Sequence, residues 1–267
     1  MSATAGCLRA LTAITTALVF HVAAASAQTG ERAEAQILAP TGKLRAALYP
    51  GTPTSIVDPK DSEPRGVGYE LGRELARRLG VPYAPVVYAK NADVQAAMKA
   101  GDADVAFTNA SPPRREAMDF GEPYLLIELG YLVPAASALA SPADIDGKGH
   151  RIGVVIGSTS EGTLSRTLKE AEVVRAATNR EGAELVAAGR LDAFATNKAT
   201  LFELIDEVKG TKVLSGTWGE ERHSVGIPKG REGGIAYIRA FTADVVATGL
   251  VKAAMDRAGL KGARPAQ

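Results

Sequence analysis

Cysteine, histidine and net charge are all scarce in this 267-residue chain, which holds one Cys, three His and a formal charge of +1. A lone Cys7 cannot form a disulfide within the chain. His150 and His223 lack metal-ligand spacing to each other, and the third histidine, His21, lies within the first 27 residues. Balanced charge gives no support to nucleic-acid or membrane-surface binding. Beyond the first 27 residues, no apolar run is long enough to span a bilayer.

Cofactor and nucleophile motifs are missing as well. Gly66, Gly68 and Gly72 approach a dinucleotide loop, but a polar Pro-containing loop precedes them and the spacing is wrong. Gly157-Ser158-Thr159-Ser160 is not a nucleophile elbow. Neither a cofactor nor a catalytic residue is therefore expected.

The N-terminus reads as an address. Arg9 precedes an apolar run over 11–25, and Ala25-Ser26-Ala27 offers the small residues of a cleavage site. Residues 1–27 are expected to be a signal peptide, removed on export to the periplasm together with Cys7. A chain of the remaining length can bury a core without disulfides even where the surroundings are oxidising. It also suits two domains of ~100–150 residues. Residues 28–41 are polar and Ala-rich without periodicity, and read as a flexible leader.

From there, strand and helix signals alternate, as in an α/β protein. A strand over 46–49 precedes a helix marked by Leu71, Leu75 and Leu79; strands at 86–88 and 105–107 flank a helix that Asn91 can cap. The pattern restarts with a strand over 151–156. Ser158 with Glu161 and Thr178 with Glu181 then form possible capping boxes. Ala100, Gly101, Asp104, Thr108 and Asn109 each recur 88 residues later, and Arg45…Gly51-Thr52 is echoed by Arg151…Gly157-Ser158. Two lobes of like topology are expected, with strand-like runs over 129–133 and 223–227 as crossings. A last helical stretch from Ile235 to Leu250 would pack back on the first lobe. The expected division is 28–133 and 225–267 for the first lobe and 134–224 for the second.

Gly101-Asp102-Ala103-Asp104-Val105-Ala106-Phe107, Ser111-Pro112-Pro113-Arg114 and Asp119-Phe120-Gly121-Glu122-Pro123-Tyr124 together resemble the family 3 bacterial solute-binding proteins. The order and spacing of these segments carry the resemblance, which extends over about residues 42–255. It implies a type II periplasmic-binding-protein fold, with two α/β lobes joined by a two-strand hinge. It also implies a periplasmic, monomeric receptor that closes on a small solute and delivers it to the permease of an ABC importer.

In that family, the residue matching Arg114 grips the solute carboxylate, a role suited to a planar fork of donors. Asn109 matches a small polar residue that shares this carboxylate, although it also reads as a turn former. Ser158 and Thr159 would present hydroxyls and free N–H groups at a helix start, with plain capping an equal reading for Ser158. Tyr49 and Phe107 would wall the solute, and Trp218 lies near the second crossing; each reads equally as core, Phe107 more so. Arg115 is expected to face solvent.

Amino-acid receptors of the family hold the ammonium with acids, one of them where this chain has Asn197. The amine end therefore reads as neutral and the solute as a small carboxylate, with an amino acid held through other acids left open. The alternative is an enzyme of the cyclohexadienyl-dehydratase type, which shares the fold. It requires a general acid in the cleft, and none is evident in the sequence.

Overall fold

The computed structural model describes residues 33–49, 54–56, 64–89 and 91–267. The signal peptide, the start of the leader and the Gly51-Thr52 echo lie outside these residues.

In the first half, strands β1 (Leu44–Leu48), β2 (Tyr83–Val87) and β3 (Val105–Asn109) alternate with helices α1 (Val67–Arg78) and α2 (Asn91–Ala100). A one-turn helix α3 (Pro112–Arg115) leads into the long strand β4 (Met118–Pro134). The second half repeats the plan. Strands β5 (Arg151–Val155), β6 (Glu172–Ala176) and β7 (Ala193–Asn197) alternate with helices α4 (Thr159–Thr167) and α5 (Asn179–Ala187). Helix α6 (Lys198–Glu207) and strand β8 (Thr211–Val213) follow. Strand β9 (Gly219–Pro228) then returns to helices α7 (Ile235–Ala247) and α8 (Leu250–Ala258) and strand β10 (Ala263–Pro265).

The strands run β2-β1-β3-β9-β4-β7-β5-β6 across one sheet. Reading inward from either edge meets the same unit. β1 is parallel to β2 and β3, as β5 is to β6 and β7. β3 then meets β9 antiparallel, as β7 meets β4. The two crossing strands pair with each other from Met118↔Pro228 to Leu129↔Gly219. β10 adds a third strand to this junction through Arg264↔Leu126, reinforced by an Arg264–Glu220 ion pair of 2.8 Å.

Each half has a core on both sheet faces, because successive strand side chains point opposite ways. In the first half, Ala46 and Leu48 pack under Leu71 and Leu75 of α1 and Ile238 and Phe241 of α7. Ala47 faces Val94 and Met98 of α2. In the second half, Ile152 and Val154 pack with Tyr131, Val133 and Leu164, while Phe194 and Leu132 meet Val186 and Leu201 on the opposite face.

The internal echo reappears as one hydrogen-bond pattern used twice. Arg45 donates its backbone N–H (2.9 Å) and Nε (3.0 Å) to Asp104 and its Nη2 to the Gly101 carbonyl (2.8 Å). Arg151 does the same with Asp192 (2.8 and 3.2 Å) and Gly189 (3.0 Å). Gly101 and Gly189 both turn at positive φ (76° and 66°) after a helix, a conformation that carries no steric penalty without a Cβ.

The leader needs correction. Residues 33–38 are helical, and Leu38 is fully buried against the first-half core beside Ile238. One buried leucine anchors the segment, and such a contact leaves no periodic trace in so short a stretch.

Candidate functional site

The cleft is built where the C-terminal ends of β1, β3 and β5 meet the crossing strands. Ser111 in extended conformation and Pro112 at the first helical position start α3, which turns the chain sharply after β3. That turn folds Arg114 back. Its Nη1 donates to the Asn109 carbonyl at 3.3 Å and, in a very short contact, to Asn109 Oδ1. Burial draws the Arg114 pKa below the usual arginine value, while Tyr49 and Glu221 act in the opposite direction. Tyr49 closes β1 and is half-buried, its backbone N–H donating to Ser55 Oγ at 3.0 Å.

Asn109 is the nearly buried last residue of β3, and its amide reaches two ways. Nδ2 donates to Thr159 Oγ1 in the second half at 3.2 Å and to Glu221 Oε1 on β9 at 2.9 Å. A cavity of about 470 Å³ adjoins this cluster, with Asn109, Thr159, Glu221, Arg115 and Phe120 among its lining.

The sequence profile of the bacterial extracellular solute-binding proteins, family 3, matches residues 44–257, which cover both halves and this cleft. The chain belongs to that family.

Among curated relatives, the glutamine-binding protein of a Bacillus subtilis ABC transporter is 28% identical over 130 residues. That match covers 49% of this chain and spans about half of the relative, 47% of its length. The L-cystine-binding protein of Escherichia coli is 22% identical over 219 residues, covering 81% of this chain and 82% of the relative. Among solved structures, a solute receptor for L-cysteine from Neisseria gonorrhoeae superposes with a TM-score of 0.71 at 23% identity. That superposition covers 84% of this chain and 92% of the receptor, and establishes the shared fold.

Of the residues singled out from this solute-binding protein's sequence, Arg114 and Thr159 are linked through Asn109, and Tyr49 is near enough to act on the Arg114 charge. Asn109 and Thr159 line the cavity, whereas Arg114 lies behind Asn109, outside the lining. Three others are engaged differently. Ser158 is the N-cap of α4, its Oγ accepting from the Glu161 N–H at 3.0 Å. Glu161 returns not to Ser158 but to the N–H of Gly157, one residue earlier, at 2.6 Å. Asn197 caps α6, with Oδ1 accepting from the Thr200 N–H at 3.0 Å. Phe107 is core, 2% exposed and edge-to-face with Tyr124 at 6.1 Å. It lies mid-strand in β3, two residues before Asn109 at the strand end. Arg115 is exposed as expected, but it lies over the Phe120 ring and lines the cavity. Trp218 donates Nε1–H to the Gly130 carbonyl at 3.0 Å and packs on Tyr131.

Sequence reading missed Glu221 and His223. Glu221 places a carboxylate in the cavity lining, at a position distinct from Asn197. His223 Nε2 lies 3.4 Å from Glu221 Oε2, and Asn109 pairs with His223 across the β3–β9 ladder. Burial raises the Glu221 pKa, but His223, Arg114 and Asn109 outweigh it and hold the carboxyl below the usual range. The available signal was the strand period, which puts positions 221 and 223 on one face. Among the described residues, no group of His, Cys, Asp and Glu is arranged to hold a metal ion.

Proposed function

We propose that this chain is a periplasmic receptor, exported through removal of residues 1–27, that captures a small carboxylate-bearing solute and delivers it to an ABC importer. The observation that carries the reading is the Asn109 amide, which accepts from Arg114 in its own half and donates to Thr159 in the other. Desolvation leaves the Arg114 fork poorly compensated by water, so an incoming carboxylate meets a cation that gains from pairing. Closure then brings Thr159 and the free N–H groups that begin α4 onto the same solute. The relatives named as glutamine- and cystine-binding proteins support a small amino-acid-like solute and a permease partner.

The moving bodies in this reading are the half built on β1–β3 and the half built on β5–β7, acting as a monomer. Tyr131 and Val133 already pack in the second core, and His223 pairs with β3. These contacts support a hinge inside β4 and β9, ahead of residues 133 and 224. A dehydratase needs a protonated acid in the cleft. Glu221 lines the cavity, but its neighbours favour the ionised form, which supports binding over proton donation.

A thermal-shift screen of small carboxylates and amino acids tests the reading, since a solute bound only by the folded state raises the melting temperature. A stabilising hit supports it; no response across both classes overturns it. Formation of aromatic product from prephenate or arogenate would establish the enzyme instead.

A further inference from the structure

The chain after α8 makes a further contact between the halves, apart from the Asn109–Thr159 bond. Helix α8 belongs to the first half: Val251, Ala254 and Met255 lie in that core, and Arg257 pairs with Glu70 of α1. Strand β10 then follows β4 over Leu125–Ile127, and the Gly262 carbonyl accepts from the Glu128 N–H at 3.1 Å. From Leu129 onward, β4 pairs with β7 of the second half. The turn over 259–262 therefore sits at the point in β4 where the second half begins.

That turn is wedged against the start of α6. A Cβ at Gly262 would lie 2.6 Å from Lys198 Cβ and 3.2 Å from both the Lys198 backbone carbon and Phe202 Cε2. The Lys198 stem passes over Gly130, and its Nζ reaches Glu128 Oε2 at 2.6 Å. Ala199 is buried in the first-half core, against which Leu260 also packs. First-half residues thus grip a second-half helix while Asn109 bonds Thr159 across the cleft. Bending β4 near Glu128 would move α6 against the turn. Close-packed atoms resist that shift both ways, by overlap in one direction and by lost dispersion contacts in the other. We infer that the turn over 259–262 and strand β10 form a strap that holds α6, and with it the second half, in the closed setting. The strap lies beyond residue 257, where the match to the family profile ends. Its role rests on the receptor reading above and deepens it by naming a device that sets the balance between open and closed forms.

Spin labels at Lys99→Cys on α2 and Arg166→Cys on α4, both exposed sites, would report the distance between the halves by double electron–electron resonance. Cys7, the one native cysteine, would be changed to Ser. Gly262→Ala drives a methyl into Lys198 and should lower the ratio of closed to open populations about 3- to 10-fold. Gly249→Ala is the control: its φ of +75° carries a like backbone cost, but nothing lies within 4 Å, so the distances should not change. Lys198→Met keeps the stem and loses the Glu128 pair. It should lower the ratio about 2-fold, and it decides the matter should Gly262→Ala not fold. Distances unchanged in both strap variants, shifted towards shorter values, or shifted equally by Gly249→Ala overturn the strap. The solute screen tests the receptor reading independently. A strap effect without any stabilising solute would overturn that reading alone, and a stabilising solute without a strap effect would overturn the strap alone.

Discussion

Asn109 Nδ2 lies 3.2 Å from Thr159 Oγ1, a hydrogen bond joining the end of β3 to the start of α4 across the cleft. Replacing Thr159 by Val removes the acceptor at nearly constant shape. The closed form should weaken by about 0.5–1.5 kcal/mol, the usual net value of one such bond. Small-angle scattering should show a more open average for Thr159→Val, with Thr159→Ser restoring the closed form.

Arg114→Ala should cost about 2–5 kcal/mol of solute binding, the range for truncating one partner of a buried charge pair. Calorimetry with the best stabilising solute measures it. Unchanged affinity would remove Arg114 from the site.

The two Arg–Asp pairs of the repeat should differ in weight. Asp104 is fully buried and holds both Arg45 and Arg231 at 2.8 Å, so Asp104→Asn leaves two cations short of a partner. A loss of about 3–5 kcal/mol is expected in urea unfolding. Asp192 is 35% exposed and holds Arg151 alone, and Asp192→Asn should cost about 1 kcal/mol or less.

Glu203 on α6 gives a pH signature. Burial, helped by the charge of Glu207, pushes its pKa up to about 7. The unfolded chain therefore ionises this group at a lower pH than the folded one. Its neutral form favours folding below the ordinary Glu pKa, and that advantage is lost as pH rises towards 7. Glu203→Gln should raise stability at pH 8 and change little at pH 4, read from melting temperatures. An equal effect at both pH values would exclude this cause.

Asn197→Asp separates a cap from a ligand contact. Asp caps a helix as well as Asn does and suits the positive end of α6. Unfolding should shift by no more than about 0.5 kcal/mol, with no change in the preference for amino acids over deamino acids. A gain in that preference would return Asn197 to the amine end of the site.

Local order along this chain was decided by sequence alone. Leucines at steps of four, glycines after helices and short apolar runs dictate alternating helix and strand through local sterics and periodicity. The recurrence of Gly101 and Asp104 at Gly189 and Asp192 marks two like halves, since each pair plays the same role with a neighbouring Arg. The Ser111–Arg114 turn also follows from adjacent residues, and with it the return of Arg114 towards β3. Tertiary structure decided which polar groups meet. Glu221 reaches Asn109 only through the register of β3 on β9, and a one-residue slip would turn it to the other face. Asn197, in the matching place in the repeat, caps a helix because α6 begins at once after β7. Leu38 is core because α7 lies beside it. Such contacts depend on segments far apart along the chain, where local preference carries no information about the partner.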